Sequence, residues 1–109
     1  MFNRMRQAEQ RVAQVAAYLA AKPGAAPMWN DPQTEAEAAR LRTQLNARKG
    51  TKLELTRPSW RLQADSASLS ADYRCRSAGS DPCEGRLDVK LVWREGLWLV
   101  RDVGVGPSA

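Results

Sequence analysis

Residues 85–105, GRLDVKLVWREGLWLVRDVGV, decide the fold. Two runs rich in Val, Leu and Trp flank Arg94-Glu95-Gly96, the composition and spacing of a β-hairpin. Gly96 can take the left-handed conformation that ends a three-residue turn with a bulge, and a two-residue Glu95-Gly96 loop closes the hairpin equally well. The loop length sets the faces. With three loop residues, Leu87, Val89, Leu91 and Trp93 lie beside Leu97, Leu99 and Val103; with two, they lie beside Trp98 and Val100.

Upstream of the hairpin, Leu69, Ala71, Tyr73 and Cys75 alternate with Ser70, Asp72 and Arg74, which is strand spacing. Turn-forming residues follow, and Cys83 comes just before the hairpin. Cys75 and Cys83 are the only thiols. They are either free and buried or joined across the loop from Arg76 to Pro82. If they face each other, Tyr73 pairs with Gly85, Ala71 with Leu87 and Leu69 with Val89, setting apolar residues opposite apolar ones. That agreement favours a disulfide, which across so short a loop contributes about 2 to 3 kcal/mol. A structural disulfide implies an oxidising compartment. The expected setting is the periplasm or the exterior. MFNRMRQAEQ has no apolar core of a signal peptide, so an export signal or anchor is expected to stand ahead of Met1.

Thr51 to Gln63 alternates Leu53 and Leu55 with polar residues, breaks at Arg57-Pro58-Ser59, and resumes with apolar residues at even positions, Trp60 and Leu62. A bulge or bend at Pro58 explains the change and argues for an edge strand. Toward the N-terminus, Met1, Met5, Ala8, Val12, Val15 and Leu19 form one face of a helix from Asn3 to about Ala21. This stripe either docks on the protein's own sheet or pairs with another helix, including that of a second copy in a homodimer. Pro23 and Gly24 end the helix, and the connector to Asn30 carries Met28 and Trp29, a residue that plugs the core or meets a partner. Asp31 as N-cap and Pro32 at the first position open a second helix with a slight apolar stripe of Ala38, Leu41 and Leu45, stopping at Gly50.

The organisation is therefore one domain: an amphipathic helix over 1–22, a linker over 23–30, an α+β unit over 31–105 and a frayed tail over 106–109. The fold class is α+β, two N-terminal helices packed on a curved antiparallel four-stranded sheet, α-α-β-β-β-β. No apolar run approaches 18 residues, which excludes a helical membrane span in these residues.

The net charge of +5 is spread thin. Residues 1–48 carry seven basic and four acidic groups and residues 49–109 carry ten and eight, so no dedicated nucleic-acid face is expected. With no histidine, Ser-His-Asp and Cys-His catalysis and His-ligated metals are excluded. Acid–base work would fall to Tyr73, Asp88 and Asp102, yet Asp88, Lys90, Arg94 and Arg101 read as the mixed charges of a solvated sheet face. The expectation is no enzyme, no cofactor and no metal. Four tryptophans cannot all be deep in so small a core, so Trp29, Trp60, Trp93, Trp98 and Tyr73 are candidate contacts for a protein or ligand.

The order of elements and the closing hairpin, with Gly96, Trp98, Val100 and Val103 in the pattern apolar-x-x-Gly-x-Trp-x-apolar-x-x-apolar, resemble the cystatin-like and NTF2-like α+β folds over residues 51–105. The sheet is one or two strands short of that group, and the dyads of its enzymatic members are missing. The resemblance implies a helix resting in the concave face of a bent sheet, and, in bacteria, an exported assembly part of secretion, conjugation or pilus machines. The expected function is a non-enzymatic envelope module that binds another protein. The alternative is a small apolar-ligand-binding or isomerase-like pocket, with Trp93 or Trp98 as wall and Tyr73 with Asp102 as polar handles.

Overall fold

The computed structural model describes residues 2–22, 27–45, 52–76 and 83–107, apart from the side chains at positions 2, 3, 52, 75, 76 and 83. Two helices, α1 (Phe2–Leu19) and α2 (Pro32–Leu45), precede four strands, β1 (Lys52–Leu62), β2 (Ser66–Arg76), β3 (Cys83–Arg94) and β4 (Leu97–Gly106). The strands form one antiparallel sheet in chain order, with β1 and β4 at its edges. This is the expected α+β architecture.

The hairpin closes with the two-residue loop. Arg94 pairs with Leu97, and Glu95 and Gly96 both take positive φ, 52° and 80°, the type I′ geometry whose twist matches that of the strands. Trp93 therefore faces Trp98 and Leu91 faces Val100. One residue further the register shifts, Lys90 pairing with Asp102 and leaving Arg101 as a bulge. The bulge turns the parity of β4, so Trp98, Val100 and Val103 all reach the core. The β2–β3 register is the one expected from opposed cysteines: Tyr73 with Gly85, Ala71 with Leu87, Leu69 with Val89, and Cys75 with Cys83. The sulfur atoms, and the intervening loop, lie outside the described residues. In β1 the shift falls between Thr56 and Ser59, with Arg57 at φ 55°, so the parity change around Pro58 is a bulge in an edge strand.

The α1 stripe docks on the protein's own sheet. Ala8, Val12, Val15 and Leu19 are buried with Ala67, Leu69, Leu87, Val89, Leu91 and Val100 in one core. These four side chains being taken up, a pairing of two copies through α1 would need another surface. The helix stops at Leu19, ahead of Pro23. Ala21 takes φ 59°, its N–H donates to the Tyr18 carbonyl and that of Lys22 to the Ala17 carbonyl, the double bond of a Schellman cap. Positions 23–26 and 46–50, and with them the expected helix-breaking Pro23 and Gly24 and the stop at Gly50, lie outside the described residues.

The segment read as a linker joins the sheet. Asn30 N–H donates to the Val100 carbonyl at 2.8 Å and Val100 N–H to the Met28 carbonyl at 2.7 Å, so Trp29 bridges the β4 edge in parallel. At the other end β4 runs to Gly106, paired with Arg86, so the ladder extends one residue into the tail expected to fray.

Candidate functional site

The sheet has two faces of opposite character. The inner face is closed by the helices. Trp98, 2 % exposed, packs edge-on against Trp93 with ring centroids 5.0 Å apart, and its indole N–H donates to the Arg4 carbonyl at 2.8 Å. The Arg4 guanidinium lies 4.4 Å from the centre of the Trp93 ring and donates to the Ala64 carbonyl, while Arg11 Nε donates to the Trp98 carbonyl at 2.9 Å. Partial burial pulls the Arg11 pKa below its ordinary value. α1 thus clamps the hairpin end by its arginines as well as by its apolar stripe. Trp29 packs edge-on against Tyr18 at 5.2 Å, which in turn lies under Arg42.

The outer face is open and polar apart from Val92, Leu97 and Leu99 at the hairpin end, and the registers order it into rows that cross the strands. Ser59 pairs with Ser70, Ser70 with Asp88 and Asp88 with Gly104. These short side chains form the floor of a groove of about 550 Å³, walled by Arg61, Lys90 and Asp102 on one side and Arg86 on the other. The Ser70 hydroxyl donates to the Asp88 carboxylate, holding it in the floor. The next row runs Arg61, Ser68, Lys90 and Asp102, and the bulge brings Arg101 to the same face, where it joins Arg61 and Lys90 around a smaller groove of about 300 Å³.

The bulge is held from behind. Buried Thr34, in the first turn of α2, has its hydroxyl 2.8 Å from the Arg101 carbonyl and 3.0 Å from Asp31 Oδ1, its one proton shared between them. Asp31 is the expected N-cap: its Oδ1 accepts the Thr34 N–H at 2.8 Å. That backbone bond, with the Thr34 hydroxyl, holds the Asp31 carboxyl below the usual carboxylate range.

The sequence-selected aromatics do not share one place. Trp93 and Trp98 come together under α1, Trp29 sits at the β4 edge, Trp60 lies opposite Leu69 on β1, and Tyr73 lies opposite Gly85. All five pack against the core or belong to it. Tyr73, Asp88 and Asp102, the groups left for acid–base work, are not brought together, and Asp88 lies on the solvated face expected for it. Tyr73 shares the inner face with Gly85 and Leu87, whereas Asp88 and Asp102 are exposed on the outer one. For the same reason Asp102 cannot be a polar handle in a pocket walled by Trp93 or Trp98. Among the described residues no group of three His, Cys, Asp or Glu side chains could hold a metal, and no helix is long and apolar enough to cross a membrane. Thr34, Arg4 and Arg11 were not singled out by sequence. A threonine in a first turn and two arginines on a polar helix face carry no compositional mark.

No protein-family model and no curated protein matches the sequence. Among solved structures, the chain is similar to the Kfla4162 protein from Kribbella flavida, with a TM-score of 0.70 at 17 % identity over 96 % of this chain and 90 % of that one. It is also similar to a five-substitution variant of a protein named Rd1NTF2_05, with a TM-score of 0.51 at 17 % identity over 66 % of this chain and 60 % of that one. The α+β fold is similar to that of this NTF2-named structure over two thirds of the chain. At such identities the likeness speaks to fold alone, and neither structure bears on a cystatin relationship. In this chain α1 covers the inner face of the sheet, and the outer face is left uncovered among the described residues.

Proposed function

We propose that this NTF2-like domain is a non-enzymatic protein-interaction module of a bacterial envelope, exported to the periplasm or exterior as part of a secretion, conjugation or pilus-type assembly, and that its partner seats on the outer face of the sheet. The observation that carries the reading is the asymmetry of the two faces. Ala8, Val15, Leu19, Val89 and Val100 are wholly buried on the inner side, while the outer side offers rows of hydroxyl and charged groups beside a groove of about 550 Å³, and the chain has no histidine to serve there as a base. The compartment is supported by the pairing of Cys75 with Cys83. Directly opposed residues of an antiparallel ladder have Cα atoms about 4.5 to 5.5 Å apart, within the span a disulfide bridges.

A photocrosslinking residue placed at Ser70 tests this in the native cell. A discrete adduct with one protein, absent when the residue is placed at Gln10 on the polar side of α1, is the expected result. Adducts equally weak and diffuse at both positions contradict it.

The second reading is the small apolar-ligand or isomerase-like pocket, favoured by the likeness to an NTF2-named structure. It requires space between α1 and the sheet, which the core side chains occupy, so a ligand would have to displace α1. Quenching of Trp98 fluorescence by apolar probes at micromolar concentration would support it; unaltered emission would remove it.

A further inference from the structure

We infer that the partner segment recognised by the outer face is acidic and extended, with carboxylates on alternate residues, and that it lies along the row of Arg61, Ser68, Lys90 and Arg101. This rests on reading the outer face as the binding surface. Three observations lead to it. The row crosses all four strands without a gap, Arg61 pairing with Ser68, Ser68 with Lys90, and Lys90 with Asp102 beside the bulged Arg101. On the same face Arg57 pairs with Asp72 and Arg74 with Glu84, while Arg86, across the floor of serines, makes no ion pair among the described residues. Arg61, Lys90 and Arg101 make no ion pair within 4.0 Å among the described residues. Finally, these three line one groove with Gln63, Ser66 and Ser68, and no carboxylate is among its described lining residues.

The dimensions suit a peptide. Four strands spaced about 4.8 Å apart make a row about 14 Å wide, which an extended segment crosses in four or five residues at about 3.3 Å each. Alternate side chains of such a segment point the same way, about 7 Å apart, within reach of successive cations on β1, β3 and β4. Ser68 lies between Arg61 and Lys90 and offers a hydroxyl to the passing backbone. A single nucleic-acid strand is a poorer fit, because base stacking needs aromatic faces and Trp93 and Trp98 lie on the inner side. Asp102, paired with Lys90 in the same row, and Asp88 in the neighbouring groove oppose such a ligand.

The test is fluorescence anisotropy on the full chain with a dye-labelled peptide alternating Glu and Ser, beside one alternating Gln and Ser. The Glu peptide should bind and the Gln peptide should not, with affinity falling as salt rises from about 20 to 150 mM. The R61Q/K90Q/R101Q variant should bind roughly tenfold more weakly, and Asp102→Asn roughly threefold more tightly. The gain in Asp102→Asn guards against a trivial loss of fold in the triple variant. No binding of the Glu peptide, equal binding by the triple variant, or tighter binding of oligo-dT overturns the inference. The two claims also separate. A partner captured from Ser70 in equal yield by wild type and triple variant overturns the acidic segment and leaves the binding face standing, whereas no capture from Ser70 removes both.

Discussion

The ring of Tyr73 lies across the backbone of Gly85, its cross-strand neighbour, so closely that a Cβ at position 85 would stand 2.5 Å from the phenol oxygen and 2.6 Å from two ring carbons. Gly85 is buried beneath it. Small-to-large changes in such a place force the neighbour off its rotamer. Gly85→Ala should therefore destabilise the protein by about 1 to 3 kcal/mol, read as a lower midpoint of chemical denaturation with an unchanged slope. In a Tyr73→Ala background the same change should be neutral or stabilising, because alanine is less costly than glycine in a strand. An equal loss in both backgrounds would show that the ring is not what excludes the methyl.

Ala21 ends α1 in a conformation better suited to glycine, at φ 59°. The left-handed region costs a residue with a Cβ roughly 1 kcal/mol, and helix ends of this type favour glycine. Ala21→Gly should raise stability by about 0.5 to 1 kcal/mol, a shift of roughly 2 to 8 °C in Tm for a domain near this size. A lower Tm would contradict the cap geometry.

Asp31 gives the protein part of its pH dependence. Its carboxyl is held below the ordinary range chiefly by the Thr34 N–H, so the charged form is favoured in the folded chain. The stability this confers is full above the carboxylate's ordinary value and is lost as pH falls through the lower, folded value. Thr34→Val removes the hydroxyl bond to Arg101 and one of the two Thr34 bonds to Asp31. The variant should lose about 1 to 2 kcal/mol near neutral pH and show a shallower acid limb. An acid limb identical to wild type would mean that this cap does not contribute to acid sensitivity.

Much of the sheet could be read from the chain because alternation over residues 69–75 and 87–93 fixes faces unaided, and the facing cysteines fix one register. The parity break around Pro58 announced its own bulge. The bulge at Arg101 could not be fixed from the chain, because Val103 keeps step with Leu97 and Leu99 in one reading of the loop and falls out of step with Trp98 and Val100 in the other, and the bulge carbonyl is held by a hydroxyl from Thr34, far away in sequence. That unseen turn of parity hid the outer row, since Arg101 and Asp102 share a face only because of it. The tryptophans could be counted but not placed: it is α1 lying over Trp93 and Trp98, and Tyr18 packed on Trp29, that gives them their positions. The Ser59, Ser70 and Gly104 floor becomes visible only when three registers align residues that are unremarkable singly.

Placement of this domain in the cell envelope depends on whether the sulfur atoms of its two cysteines, opposed across β2 and β3, are joined. Intact mass of the natively expressed protein, treated with a thiol alkylator under denaturing conditions before and after reduction, decides it. The proposal predicts no added alkyl group without reductant and two after reduction. Two alkyl groups on the unreduced protein would contradict it and return the domain to a reducing compartment.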